Sequence, residues 1–393
     1  MKICAVICEY NPFHTGHCYQ LNKVREYGCE NIFCVMSGQF VQSGLPAFCD
    51  KAIRAECAVL GGADAVIELP AVYATAAAEQ FACGALKIIS GIKDISHIAM
   101  STVAPRDVVM KTAEIKIKYP LRFSNELRKE LVVGKSYNAA SACALTRIYG
   151  ELYPDDNSVE CVFTDPNSIL SIEYISAIDK LAANIQPLII KREGCEYNDI
   201  DRNRDYISAS SIRLAHSEGK LSDVRRYIPY KFKEIETYAD SHGADMTLYG
   251  KLAVFALKKS NTAEISQLRD CSEGMEYLLT NMSKSSDFSD YIDSAVCRRY
   301  GKKRIYRLFT DLLLGITKDA ADKRFVTRLL ACKKTFDFSL LPSCVKTTNA
   351  EIKKAQKNEE VAQVLKIDEN ASALYSTLCS LDGDFYNYSL IKL

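Results

Sequence analysis

The first part of the chain alternates two hydrophobic patterns. Short unbroken apolar runs stand at 3–8 (ICAVIC), 32–36 (IFCVM), 65–69 (AVIEL) and 95–100. Their length and continuity predict strands buried on both faces of a parallel sheet. Between them, helical periodicity runs over 16–27, 50–60 and 74–89, the second segment stopping at Gly61 and Gly62, a common helix terminator. Helices are predicted across 106–149, a strand at 159–163, a helix at 168–183 and a strand at 187–191. Such alternation predicts an α/β fold, a Rossmann-like parallel sheet with helices on both faces. After about residue 220 strand signals nearly vanish, and helical periodicity runs through 222–239, 245–258, 288–298 and 303–316. The expected organisation is one domain over 1–220 and a mainly helical one over 221–393.

Composition limits the partners. Of 393 residues, 48% are hydrophobic and 25% charged, an ordinary globular mix with length for two or three domains. Fifty Lys and Arg face 49 Asp and Glu, a net charge of +1, which excludes a histone-like polycation and an acidic disordered tail. The balance is uneven: 23 basic against 26 acidic residues over 1–220 give −3, and 27 against 23 over the remainder give +4. A polyanionic partner is therefore expected on the second part. No apolar run reaches the ~20 residues that span a bilayer, and no signal pattern precedes the run at 3–8, so a cytoplasmic protein is expected. Sixteen cysteines are scattered without a C-x-x-C pair or zinc spacing; they read as reduced thiols used as small core residues.

One segment carries chemistry: Glu9-Tyr10-Asn11-Pro12-Phe13-His14-Thr15-Gly16-His17. It lies between the first strand and the first helix, where open α/β sheets bind ligands. His14 and His17 are two of only five histidines. A pair three apart also suits a surface pair or metal ligands, but the preceding Asn-Pro and the glycine between them favour a nucleotide. Gly16 lets a phosphate approach the backbone, and a helix start offers free N–H groups and a partial positive charge. Two imidazoles can donate to an α-phosphate as charge builds on it. They are the candidate catalytic residues, and the chemistry requires neither a covalent intermediate nor a metal held by the protein. Further on, Ser208, Ser210 and Ser211 with Arg213 combine hydroxyls at a helix start with a guanidinium, which suits phosphate; plain N-capping is the other reading. Arg298, Arg299, Lys302, Lys303, Arg304 and Arg307, with Tyr300 and Tyr306 among them and no acid, form the densest basic block. It suits RNA phosphates and unpaired bases, or a solvated helix face. Met282-Ser283-Lys284-Ser285 imitates a class I synthetase signature but falls in the helical region and is discounted.

Together these stretches resemble the H-x-G-H nucleotidyltransferase superfamily and, within it, the bacterial tRNA(Met) cytidine acetate ligase family. The family's opening E-Y-N-P-F-H-N-G-H differs here only at Thr15. Met36-Ser37-Gly38-Gln39-Phe40-Val41-Gln42 with Gly44, Pro46 and Ala47 is similar to its next block, and Gly62-Ala63-Asp64-Ala65-Val66-Ile67-Glu68-Leu69-Pro70 to a third. Later blocks are similar to Pro166-Asn167-Ser168-Ile169-Leu170, Lys191-Arg192 with Tyr197-Asn198-Asp199, Ile207 to Arg213, Glu273-Gly274-Met275-Glu276 and 298–307. The resemblance implies ATP held by Ile7, Glu9, Asn11, Pro12, Phe13, His14, Gly16, His17, Gln20, Met100, Asn167, Arg192, Ser208, Ser210, Ser211 and Arg213, with Mg²⁺ on its phosphates. It implies activation of acetate as acetyl-adenylate and transfer of acetyl to N4 of the wobble cytidine of elongator tRNA(Met), giving N4-acetylcytidine. The tRNA would be held by the basic block. Departures from the family are Met100 in place of a Gly, Ser43 and Leu45 in place of a basic and an acidic residue, and Asn198 in place of a His. Two other readings stay open: an adenylyltransferase acting on a small phosphorylated metabolite, and a nucleotide- or RNA-binding protein without turnover.

Overall fold

The computed structural model describes residues 2–181, 183–192, 206–272, 274–282, 288–297, 299–382 and 386–393. Five strands come first: β1 (Lys2–Cys8), β2 (Cys29–Ser37), β3 (Ala65–Leu69), β4 (Ile95–Thr102) and β5 (Gln186–Lys191). They lie in the order β3-β2-β1-β4-β5, all parallel. Covered on both faces, β1, β2 and β3 are buried along nearly their whole length, which accounts for their unbroken apolar runs. The chain winds outward from β1 to β3, then crosses back to place β4 on the other side of β1. Winding reverses at β1, so a crevice opens beyond its C-terminal end. Residues 9–17 occupy that crevice.

The connections carry α1 (Thr15–Glu26), α2 (Lys51–Leu60), α3 (Ala71–Ala74), α4 (Ala78–Ile89), α5 (Arg106–Lys118), α6 (Pro120–Val132), α7 (Tyr137–Leu152), α8 (Glu160–Thr164), α9 (Pro166–Lys180) and α10 (Ala209–Ser217). The remainder contributes α11 (Phe232–His242), α12 (Met246–Lys259), α13 (Thr262–Ser266), α14 (Met275–Met282), α15 (Phe288–Ala295), α16 (Lys302–Leu314), α17 (Asn349–Ala355) and α18 (Glu359–Leu378). No helix among the described residues is long and apolar enough to cross a membrane.

Three expected elements differ. The strand expected at 159–163 is helix α8. Its valines and phenylalanine fit a pleated surface, but Asp156 accepts from the Ser158 N–H at 3.1 Å and the Tyr149 hydroxyl at 2.6 Å. That fixes a turn, after which the N–H groups of Cys161 and Val162 bond back to Ser158 and Val159. The helix expected over 74–89 starts four residues late, as α4, behind the separate short turn α3, where the carbonyls of Val72 and Thr75 accept from Arg269. The helix expected over 222–239 is interrupted near Pro229, which has no N–H to give. A 3-10 turn over Leu221–Tyr227 precedes the break and α11 follows it.

The second part is not purely helical. Strand β6 (Thr327–Cys332) pairs antiparallel with β3, and β7 (Val345–Lys346) and β8 (Ile391–Lys392) pair with β6. Every residue of β6 is buried. The β3 edge would otherwise present unpaired backbone groups to any passing strand. Asp64 ties the same edge together, accepting from the Ile32 N–H at 2.7 Å, from Arg25, and from Lys333 Nζ at 2.7 Å. One hydrophobic cluster runs from Phe33 and Ile88 through Ile148 to Tyr249, Phe309 and Tyr375. The core is therefore continuous across residue 220. The described cysteines are all unpaired, most of them buried or half-buried.

Candidate active site

A cavity of about 280 Å³ opens beyond the C-terminal end of β1. Three helix starts converge on it. Helix α1 brings Gly16 and His17 behind its cap His14, α9 brings Pro166 and Asn167, and α10 brings Ala209 and Ser210 behind Ser208. The positive end of a helix dipole lies at each start, which suits an anion, although the first N–H groups of α9 are already taken by Asp165. Asp165 caps α9, accepting from the N–H groups of Asn167 at 3.1 Å and Ser168 at 3.0 Å. It also holds the Asn167 side-chain amide at 3.2 Å. Ser208 caps α10 by accepting from the Ser211 N–H at 3.0 Å, so capping and lining the cavity are one arrangement here.

The two histidines form a fixed unit. His14 Nδ1 accepts from the Gly16 N–H at 3.0 Å, and His17 Nδ1 accepts from the His14 N–H at 3.2 Å. Both Nδ1 lone pairs are thus used, and the ring proton of each neutral imidazole sits on Nε2. The rings stack with centroids 3.7 Å apart and an interplanar angle of 30°. Burial, then Arg192 and Arg213, lower the pKa of His14 to about 3. Burial, His14 and Arg192 push that of His17 well down too. At neutral pH the pair therefore consists of two uncharged donors facing one cavity.

Their support lies behind them. Tyr10 packs edge-on to Phe13 with centroids 4.9 Å apart, and both rings lie against His17 at 4.6 and 5.5 Å. Asn11 is fixed at both ends: its Oδ1 accepts from the Phe48 N–H at 2.6 Å, and its carbonyl from Arg213 at 2.5 Å. Arg54, 1% exposed, donates to the carbonyls of Glu9 at 2.7 Å, Ser37 and Cys49 at 3.0 Å, and Gly38. A single guanidinium thereby joins the ends of β1 and β2 to the start of α2, replacing ladder bonds those carbonyls would otherwise lack. Glu68 of the third sequence block is bound to Lys51 at 2.7 Å and takes no part in the cavity.

Of the residues expected around a nucleotide, Ile7, Glu9, Asn11, His14, Gly16, His17, Gln20, Met100, Asn167, Arg192, Ser208, Ser210 and Arg213 line the cavity. Pro12, Phe13 and Ser211 do not. Phe13 is 1% exposed and backs His17, while Ser211 is 1% exposed and bonded to Ser208 at 2.9 Å. Sequence reading missed Tyr19, Gln42, Phe81, Leu170, Ser171, Tyr174 and Tyr206, all of them in the lining. Gln42 lay inside a quoted block and its N–H donates to Glu9 Oε1 at 2.8 Å; the aromatic residues gave no local signal.

The basic block is not one surface. Arg299 and Lys302 are exposed. Arg304 donates to the Ser272 hydroxyl and the Asp270 carbonyl, and Arg307 pairs with Asp270, so both are engaged within the protein. Lys303 is exposed as well and lines the cavity. Arg298, Glu273, the segment Tyr197-Asn198-Asp199 and Ser283-Lys284-Ser285 lie outside the described residues. Glu9 is the one carboxylate lining the cavity, and no group of three or more His, Cys, Asp or Glu suited to a metal occurs among the described residues. A divalent ion would fit here as a passenger on nucleotide phosphates, with Glu9 as the carboxylate available to hold it.

The HIGH Nucleotidyl Transferase family model matches residues 1–385. The tRNA(Met) cytidine acetate ligase of Clostridium tetani (strain Massachusetts / E88) is 33% identical over 397 residues, covering 96% of each chain. This chain belongs to that ligase family. The family member from Clostridium perfringens (strain SM101 / Type A) is 30% identical over 389 residues, again 96% of each chain. The one from Thermoanaerobacter sp. (strain X514) is 34% identical over 324 residues, 81% of this chain and 79% of its own. Thermotoga maritima TmcAL bound with alpha-thio ATP matches the fold with a TM-score of 0.87 at 26% identity, each chain covered in full, and its apo form with a TM-score of 0.89. The α/β Rossmann-like fold and the ATP-using ligase class follow from this membership.

Proposed function

We propose that the protein activates acetate with ATP and passes the acetyl group to N4 of the wobble cytidine of elongator tRNA(Met). The observation that carries this reading is the histidine pair, two neutral Nε2–H donors fixed by backbone bonds at the mouth of three helix starts. In the first step a carboxylate oxygen of acetate attacks the α-phosphorus. The bond from that phosphorus to the bridging oxygen breaks, and pyrophosphate leaves with the electron pair. His14 and His17 donate to the α-phosphate oxygens as their charge grows, without a proton being transferred. Asn11, Asn167 and Arg213 position the nucleotide, and Glu9 would help hold a Mg²⁺ ion carried on the phosphates, which would supply further charge neutralisation. In the second step the N4 amine attacks the acetyl carbon, the bond to the AMP oxygen breaks, and the amine loses a proton to solvent. Among the described members of the basic block, Arg299 and Lys302 are exposed and lie outside the cavity, which leaves them to meet RNA phosphates.

The test incubates protein, ATP, labelled acetate and bulk tRNA, then digests the RNA and looks for N4-acetylcytidine. Label in that nucleoside supports the full reading. Acetate-dependent pyrophosphate release with unlabelled tRNA would keep the adenylation step and remove the acceptor. Met100, where the family resemblance implies a Gly, is 2% exposed and lines the cavity, so a longer side chain shapes the space left for substrate.

A further inference from the structure

We propose that Lys303 is a ligand of the β- or γ-phosphate of ATP, so that the second part of the chain completes the nucleotide site. The inference rests on ATP occupying the cavity, as proposed above. It separates Lys303 from the RNA-binding role that its place in the basic block suggested.

Four observations converge. First, Lys303 is the one residue of α16 in the cavity lining, while its neighbour Lys302 reaches back toward the Tyr306 ring, 5.9 Å away. Second, Lys303 makes no hydrogen bond or ion pair with any described residue. Arg304 and Arg307, on the same helix, are both engaged with Asp270. A lysine left unpaired beside a cavity keeps all three ammonium donors for a ligand. Third, with the imidazoles neutral, the charged groups lining the cavity are Glu9, Arg192, Arg213 and Lys303. Arg213 already serves the Asn11 carbonyl and the Ser210 hydroxyl. A triphosphate needs more cation than Arg192 alone supplies. Lysine suits that task because it acts as a point charge and does not require the planar bidentate geometry of arginine. Fourth, Lys303 stands in the first turn of α16, whose cap residue Gly301 gives no side-chain capping bond. The positive end of that helix dipole therefore lies beside Lys303.

Packing fixes where Lys303 stands. Gly44, at φ 81°, lies against the α16 backbone, and a Cβ there would sit 2.7 Å from Arg307 Cα. Its carbonyl accepts from Thr310 Oγ1, which also bonds the Tyr249 hydroxyl at 2.8 Å. The loop carrying Gly44 also places Gln42 in the cavity wall. One docking contact therefore positions both Gln42 and Lys303. The histidine pair and the start of α1 address the α-phosphate, so the phosphates beyond it are the ones left for Lys303. Charge collects there when pyrophosphate departs.

The experiment uses the full chain as wild type, Lys303→Ala and Lys303→Arg. Affinities for ATP, AMP and pyrophosphate are measured by calorimetry without acetate, affinity for tRNA by filter binding, and folding by urea unfolding. Lys303→Ala should lose about 10-fold in ATP and pyrophosphate affinity, the size of one charge-assisted phosphate contact. Its AMP and tRNA affinities should match wild type, and Lys303→Arg should recover most of the ATP affinity. Loss of tRNA affinity with ATP affinity intact would overturn the assignment, as would an equal loss for AMP and ATP. Wild-type protein that binds no ATP would remove the nucleotide reading itself. Wild-type binding with Lys303→Ala unchanged would remove only the lysine.

Discussion

His14 holds two tasks that a pair of substitutions can separate. Its Nδ1 caps α1 by accepting from the Gly16 N–H at 3.0 Å, and its Nε2–H is the donor assigned to the α-phosphate. His14→Ala removes both. The lost cap costs about 1 kcal/mol of stability, and the lost donor about 10²- to 10³-fold in turnover, the usual cost of removing one preorganised donor from a developing anion. Asparagine at the same position is a good N-cap, because its side-chain oxygen reaches the same backbone N–H. It is too short to place a donor where Nε2 stands. His14→Asn should therefore unfold in urea within a few tenths of a kcal/mol of wild type, yet remain as slow as His14→Ala in acetate-dependent pyrophosphate release. The KM for ATP should move less than kcat, since the interaction strengthens in the transition state. If His14→Asn recovers stability and turnover together, the imidazole is only a cap and the proposed role is wrong.

Three further outcomes follow from buried charge and backbone geometry. Because the pKa of folded His14 is lowered to about 3, the unfolded chain holds a proton that the folded one lacks between that value and the usual ~6.5. His14's contribution is complete above that window and is lost as pH falls through it, at up to ~1.4 kcal/mol per pH unit, with His17 acting in the same sense. Urea unfolding at about pH 7 and about pH 5.5 should show a smaller pH effect in His14→Asn than in wild type, and equal effects would contradict the assigned ionisation. Arg269→Met leaves buried Asp311 without its partner and should cost roughly 3–5 kcal/mol, while the double variant with Asp311→Leu should recover part of that loss, the carbonyls of Val72 and Thr75 still lacking their donor. The burial of both groups and the rise of the Asp311 pKa to about 7, caused chiefly by desolvation, motivate the pair; a double variant as unstable as the single would refute the reasoning. Gly44→Ala forces a left-handed backbone on alanine, at about 1–2 kcal/mol, and presses a methyl group on α16. ATP affinity should fall along with stability because Lys303 moves with the helix, and calorimetry showing wild-type affinity would break that link.

The alternation of unbroken apolar runs with helical segments determined the parallel sheet, because two-sided burial leaves that mark in the local sequence. It also placed the 9–17 motif after the first strand, and hence at the point where the winding reverses. The histidine and glycine spacing pointed to an anion site, since a helix start needs only neighbouring residues to bind an anion. Local pattern failed where distant groups decide. Arg269 takes carbonyls from the segment between β3 and α4, and the helix that the alanine-rich sequence would start at 74 begins only at 78. β6 is a six-residue run amid helices, and it becomes a strand because the β3 edge needs a partner. Phe13 carries the motif yet lies behind His17, and Tyr19 and Tyr206 stand at the cavity without any local cue. The basic block at 298–307 shows the division most plainly. Its sequence marks a cationic segment. Tertiary packing then commits Arg304 and Arg307 to Asp270, leaves Arg299 and Lys302 in solvent, and sets the exposed Lys303 in the lining of the cavity beyond β1. A charge is written in the chain, but its partner is set by which surfaces the core brings together.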